Sequence, residues 1–139
     1  LRLEKSFGIW AREFTQGYTP GETGLDRFIA FDKGGFIGRE AALREREAGF
    51  SRRIVTLEVD VVDADASGFE PIWHEGRRVG FVTSGGYGYT TGKSVALALV
   101  DDDFAGEGTA LSVHIVGVER PARVIAASPH DPLGKAMRQ

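Results

Sequence analysis

Cysteine is absent from the 139 residues, which excludes disulfides, thiolate metal sites and cysteine nucleophiles together. A surplus of positive charge is missing too. Seventeen Lys and Arg against 20 Asp and Glu leave a net charge of −3, without the basic footprint of a general nucleic-acid binder. No apolar run approaches the roughly 20 residues of a membrane-spanning helix, and no basic-then-apolar leader opens the chain. Neither nucleic acid nor membrane is therefore expected as a partner, and the composition suits a reducing compartment such as the cytoplasm. Methionine is scarce as well: the single one is Met137, so the chain is expected to be processed or cut from a longer protein. The opening Leu1-Arg2-Leu3-Glu4-Lys5 strengthens that expectation, because it starts in mid-pattern with no cap or turn before it.

What is present is ordinary for a globular fold: 42% hydrophobic and 27% charged residues. The pattern changes near residue 50. Residues 1–34 carry Leu3, Phe7, Ile9, Trp10, Phe14, Tyr18, Leu25, Phe28, Ile29 and Phe31 between turn clusters such as Thr19-Pro20-Gly21. Gly38 to Ala48 is rich in Ala, Glu, Arg and Leu and is followed by Gly49, which predicts a helix over 38–48 with Ile37, Ala41, Leu43 and Ala48 as its buried stripe.

Beyond residue 50 the signals are β. From Ile54 to Val61 the odd positions are apolar and the even ones mostly polar, the period of a strand with one wet face. Pro71–His74 and Arg78–Thr83 flank Glu75-Gly76, a hairpin signal. Val95–Val100 is apolar at both parities, which suits a strand covered on both faces, and residues 110–116 and 118–126 pair by turning at Gly117. About six strands with Gly and Asp turns predict a small closed antiparallel barrel, since closure removes exposed edges. The fold class is thus an α+β fragment followed by a mainly β part. Trp73 and Phe81 are expected to pack the barrel.

Several chemical motifs fail on spacing. Gly92-Lys93-Ser94 ends like a phosphate-binding loop, but the required first glycine falls on Tyr87, and a β-like run follows where a helix is needed. The stretch Ser84–Ser94 reads instead as a shaped inter-strand loop. His74, His114 and His130 have no short metal-site spacing, Gly-x-Ser-x-Gly does not occur, and Asp63–Asp65 and Asp101–Asp103 lack calcium-loop geometry. These read as solvated loops and hydrogen-bonded histidines. No catalytic residue and no metal site is assigned. Trp10, Arg12, Tyr18, Arg27 and Phe28 have the chemistry to line a pocket for a flat anion, by ring stacking and guanidinium pairing, or simply to pack a core.

Resemblance takes the reading further. Leu1-Arg2-Leu3-Glu4-Lys5, Trp10-Ala11-Arg12-Glu13, Gly24-Leu25-Asp26-Arg27-Phe28 and Phe36-Ile37-Gly38-Arg39-Glu40-Ala41 look like the late part of the aminomethyltransferase family. That family includes the glycine cleavage T-protein and the folate-binding half of dimethylglycine and sarcosine dehydrogenases. Pro71-Ile72-Trp73-His74, Thr83–Tyr89, Gly92–Ala98 and the closing Asp131–Arg138 are similar to the dehydrogenase branch. The resemblance implies three domains around a hollow that holds tetrahydrofolate, with residues 1–50 as the end of the α/β folate-binding domain and 51–139 as the C-terminal barrel. It further implies FAD in an N-terminal half outside this chain, where an N-methylated glycine is oxidised, the folate taking up the one-carbon unit. Upstream domains of the same parent and folate are the partners it implies. The family's acidic residue near the folate nitrogen lies upstream of Leu1, so the chain alone is expected to be inactive. Trp10, at a position often tyrosine in the T-protein branch, Arg27, where that branch has tryptophan, and Arg138, near a tail that runs back to the folate, are the cofactor-binding candidates. A non-catalytic barrel serving as an interaction or structural module is the alternative.

Overall fold

The computed structural model describes residues 1–138. Residues 1–51 hold short 3-10 turns and one helix, α1 (Arg39–Ala48). Six strands follow: β1 (Arg52–Val59), β2 (Pro71–His74), β3 (Arg77–Gly88), β4 (Lys93–Asp101), β5 (Ala110–Ile115) and β6 (Val118–Ile125). They close in the order β1-β4-β3-β2-β5-β6, every neighbouring pair antiparallel. The expected six-stranded closed barrel is therefore the fold.

Two of its turns follow from their residues. Glu75 (φ 47°) and Gly76 (φ 79°) join β2 to β3, and Val116 (φ 48°) and Gly117 (φ 79°) join β5 to β6. Both central positions lie at positive φ, the two-residue turn whose twist matches that of paired strands, and glycine takes the second place without strain.

The barrel interior is filled by the apolar set in register: Val55, Leu57 and Val59 from β1, Ala96, Ala98 and Val100 from β4, Ile72 from β2, Val113 from β5 and Val124 from β6. Side chains of a strand alternate between faces, so Val95, Leu97 and Leu99 point outward, yet they are as buried as the interior residues. The N-terminal residues lie across them. β4 is covered on both faces, as its unbroken apolar run predicts. We call residues 1–28 the strap.

Three expectations need correction. Phe81 is half-buried on the outer face, its ring 6.3 Å from those of Tyr18 and Phe69. The register of β2 against β3 shifts between Ile72 and Trp73 and passes over Val79. This bulge puts Val79 and Val82 inside and turns Phe81 out. The predicted stripe of α1 is not buried: no residue of the helix is, and Ile37 is fully exposed. Residues 84–94 are not an open loop either, because Ser84–Gly88 belong to β3 and Lys93-Ser94 to β4, with only four residues between the strands. Trp73 stacks at 5.3 Å on His114 on the barrel wall. No helix among the described residues is long and apolar enough to cross a membrane.

Candidate functional site

The strap is fastened by three carboxylates nine residues apart, Glu4, Glu13 and Glu22, all buried. Burial of a carboxylate is costly unless hydrogen bonds replace its water, and each has them. Glu4 accepts from the backbone N–H groups of Thr90 (2.7 Å) and Thr91 (2.8 Å) at the tip of the β3–β4 hairpin. Gly88 leaves room there, since a Cβ at that position would stand 3.1 Å from Glu4 Oε1. Glu13 accepts from the Ile9 amide (2.8 Å) and the Ser84 hydroxyl. Glu22 accepts from the Thr19 amide (3.0 Å) and from Arg52 Nε (2.8 Å).

The first of these contacts lies just before the Gly92-Lys93-Ser94 sequence. Consecutive backbone N–H groups do converge here, as they do in anion-binding nests. The anion they hold is the chain's own Glu4. The Thr91 amide is the main cause of a Glu4 pKa below the ordinary glutamate value; burial opposes it and the Thr90 amide reinforces it. Lys93, which in a phosphate loop would reach the ligand, is instead 2.6 Å from Glu58.

Between the strap and the barrel wall lies a cleft of about 580 Å³. Phe7, Phe14 and Leu25 of the strap face Ile54, Leu97 and Ile125 across it. A hydrogen bond of 2.7 Å between the Ser6 and Thr56 hydroxyls joins strap and β1 beside the cleft. Arg27 lines it and is exposed, its guanidinium stacked 4.9 Å from the Phe28 ring. Among the described residues no carboxylate comes within 4.0 Å of Arg27. The arrangement offers largely apolar walls with one cation, Arg27, and one carboxylate, Glu107, among its lining residues; the part that Arg27 borders suits a ligand with a flat body and an anionic end.

Of the three residues singled out from the sequence, Arg27 alone lines this cleft. Trp10 stands in an exposed turn of the strap, 82% accessible. Arg138 is exposed in the closing 3-10 turn, Ala136–Arg138.

A second cavity of about 880 Å³ opens by the β1–β2 loop, walled by Glu58, Asp60, Asp65, Tyr87, Lys93 and Arg123. Its charges are largely spent on one another. Glu58 meets Lys93 and, at 3.2 Å, Arg123, so its pKa is lowered mainly by Lys93, against an opposing burial effect and with help from Arg123. Asp65 accepts from Ser94 Oγ (2.7 Å). No group of three or more His, Asp or Glu among the described residues is placed to hold a metal ion. His74 is 3.0 Å from the Ala110 carbonyl through Nδ1, in keeping with a hydrogen-bonded histidine.

A closed six-stranded barrel carrying a carboxylate-fastened strap defines a structural class, and comparison gives the class a family. The family model for the glycine cleavage T-protein C-terminal barrel domain matches residues 52–131; the chain belongs to this family. Dimethylglycine dehydrogenase of Mus musculus, a mitochondrial protein, is 39% identical over 126 residues, which is 90% of this chain and 14% of that protein. An aminomethyltransferase of Desulfitobacterium hafniense is 36% identical over 125 residues, 90% of this chain and 34% of that one. The solved structure of the glycine cleavage system aminomethyltransferase T from Bartonella henselae superposes with a TM-score of 0.87 at 26% identity, covering 95% of this chain and 37% of that chain. The chain thus spans between about a seventh and about a third of the length of these relatives.

Proposed function

We propose that this chain is the C-terminal portion of a tetrahydrofolate-dependent aminomethyl-transfer protein, nearest in kind to the FAD-linked dimethylglycine and sarcosine dehydrogenases and working in the cytoplasm. Residues 1–50 complete the preceding folate-binding domain and residues 51–139 form the barrel. The observation that carries the reading is the unneutralised Arg27 on an apolar-walled cleft, in a chain whose relatives of this family are both transferases and dehydrogenases.

Tetrahydrofolate fits the residues present: it has a flat heterocycle and aryl ring for apolar walls and a terminal glutamate for a guanidinium. When bound, it supplies the nitrogen that accepts the one-carbon unit. Arg27 pairs with a carboxylate of the ligand, while Trp10 and Arg138 belong to the wall that faces the upstream domains. Phe7, Ile9, Trp10, Phe28 and Ile37 are exposed on residues 1–50, a density of large apolar side chains that fits burial against those domains. FAD would be held outside this chain.

The isolated chain supplies one wall and no reacting acid or base, so it is inactive. Calorimetric titration with tetrahydrofolate tests this: the full-length protein binds at least tenfold more tightly than the chain, about 1.4 kcal/mol. Equal affinity would put the whole site in residues 1–139, and no binding by either would leave the barrel as a non-catalytic interaction module.

A further inference from the structure

Three non-glycine residues held at positive φ, Ser6 (54°), Ser128 (56°) and Asp131 (47°), meet at one junction, where the segment after β6 crosses the start of the strap. Strained backbone persists only where its surroundings hold it, and such positions gather at clamps and switches. Here the surroundings are explicit. Ser128 donates its N–H to Ser6 Oγ (2.7 Å) and its hydroxyl to the Lys5 carbonyl (2.7 Å), and the His130 amide donates to the Glu4 carbonyl (3.0 Å).

Lys5 is the charged centre of the junction. Its side chain is 6% exposed, its Nζ donates to the Asp131 carbonyl and lies 3.7 Å from the Asp131 carboxylate. The same carboxylate also holds the chain that follows it, with Oδ1 accepting from the Lys135 amide (2.8 Å) and Oδ2 from the Ala136 amide (3.2 Å). Arg138 stands on the turn so fixed, its own amide on the Lys135 carbonyl (3.2 Å). One carboxylate therefore ties the turn that bears Arg138 to a buried cation of the strap.

We propose that Lys5 and Asp131 form a latch that positions the closing segment, residues 132–138, on the strap, and that Lys5 is a positioning residue for Arg138. The latch holds whatever Arg138 serves; its value to ligand binding rests on the folate reading above. Without Lys5, the Asp131 carboxylate loses its cation and the segment opens as a unit while the barrel stays closed.

Amide hydrogen exchange by NMR on the chain tests the latch directly. Lys5→Met is expected to speed exchange at Lys135, Ala136 and Arg138 at least tenfold with Val82 and Leu99 of the barrel unchanged, and Lys5→Arg to restore protection. Unchanged exchange in the segment overturns the proposal, as does equal acceleration in the barrel. If Lys5→Met fails to fold, Lys5→Gln, which removes the charge, keeps a polar end and leaves both Asp131 oxygens in place, is used under the same criteria. In the full-length protein, Lys5→Met is expected to raise the tetrahydrofolate Kd by the same factor as Arg138→Ala, and the double variant no further. Faster exchange with unaltered Kd keeps the latch and overturns the folate role of Arg138.

Discussion

The Glu4 carboxylate lies 2.8 Å from the amide nitrogen of Thr91, 87 positions along the chain. A side chain near the start of the sequence thus finishes a hairpin turn that local residues leave open. Replacing Glu4 by alanine removes the acceptor that the Thr90 and Thr91 amides share at a part-buried site. Glu4→Ala is expected to lower the calorimetric Tm and to shift the amide resonances of residues 88–92. An unchanged Tm would show that the contact adds nothing to the fold.

Acid should loosen the same contacts. Glu4, Glu58 and Asp131 all have lowered pKa values. For Asp131 burial pushes upward, but the Lys135 and Ala136 amides and the Lys5 charge outweigh it. A carboxylate whose folded pKa lies below its unfolded one contributes stability in full above the unfolded value, about 4 for these groups. The contribution disappears as pH falls through the folded value. Urea midpoints are therefore expected to be level from about pH 7 to 5 and to fall below pH 4, and a midpoint rising on acidification would contradict the assignment.

The two faces of the barrel wall should differ in energy. Leu57 is fully buried inside, so Leu57→Ala is expected to cost about 2–5 kcal/mol in equilibrium unfolding. Phe81, half-buried outside beside Tyr18 and Phe69, should cost less on the same substitution. A larger loss at Phe81 would mean that it, and not Leu57, fills the interior.

Lys93 should be indifferent to nucleotides. Its partner is Glu58 on a half-exposed surface, where an ion pair is worth about 0–1 kcal/mol. Lys93→Ala is expected to leave the chain's response to ATP and GTP unaltered. Saturable micromolar binding that this substitution abolishes would restore the phosphate-loop reading.

Arg27 offers a test on the ligand side. In the full-length protein, Arg27→Ala is expected to weaken tetrahydrofolate about tenfold, near 1.4 kcal/mol, through Kd with little change in the rate at saturation. An unaltered Kd would remove Arg27 from the site.

Much of the barrel was legible because its signals are local. Alternation marked β1, double-parity apolar residues marked the covered β4, and Glu75-Gly76 and Gly117 marked turns whose backbone glycine eases. Phe81 misled because a bulge shifts the parity that the alternation argument assumes, and nothing in Arg78–Val82 announces the extra residue. The α1 stripe misled because apolar spacing shows which face a helix would bury, not whether a partner is present. Glu4, Glu13 and Glu22 escaped notice for a different reason. On their own they read as surface glutamates, and their burial depends on Thr91, Ser84 and Arg52, which stand 30 to 87 positions away. Arg27 was legible as a candidate by residue type, while the cleft it borders exists only once the strap meets β1 and β6.

The strap also sets an order of events during synthesis. It leaves the ribosome before the groups that receive it, Ser84, Thr90, Thr91 and finally Asp131. The barrel must also wait, because β1 closes on β6 through pairs such as Thr56 with Ile125, and such distant contacts are slow to form. For the whole of that interval Phe14 and Leu25 lack the wall of Ile54, Leu97 and Ile125 that they face in the folded chain. The nascent chain therefore carries its stickiest stretch in the open for longest, which makes the first 28 residues the part most in need of a chaperone or of an already folded neighbour.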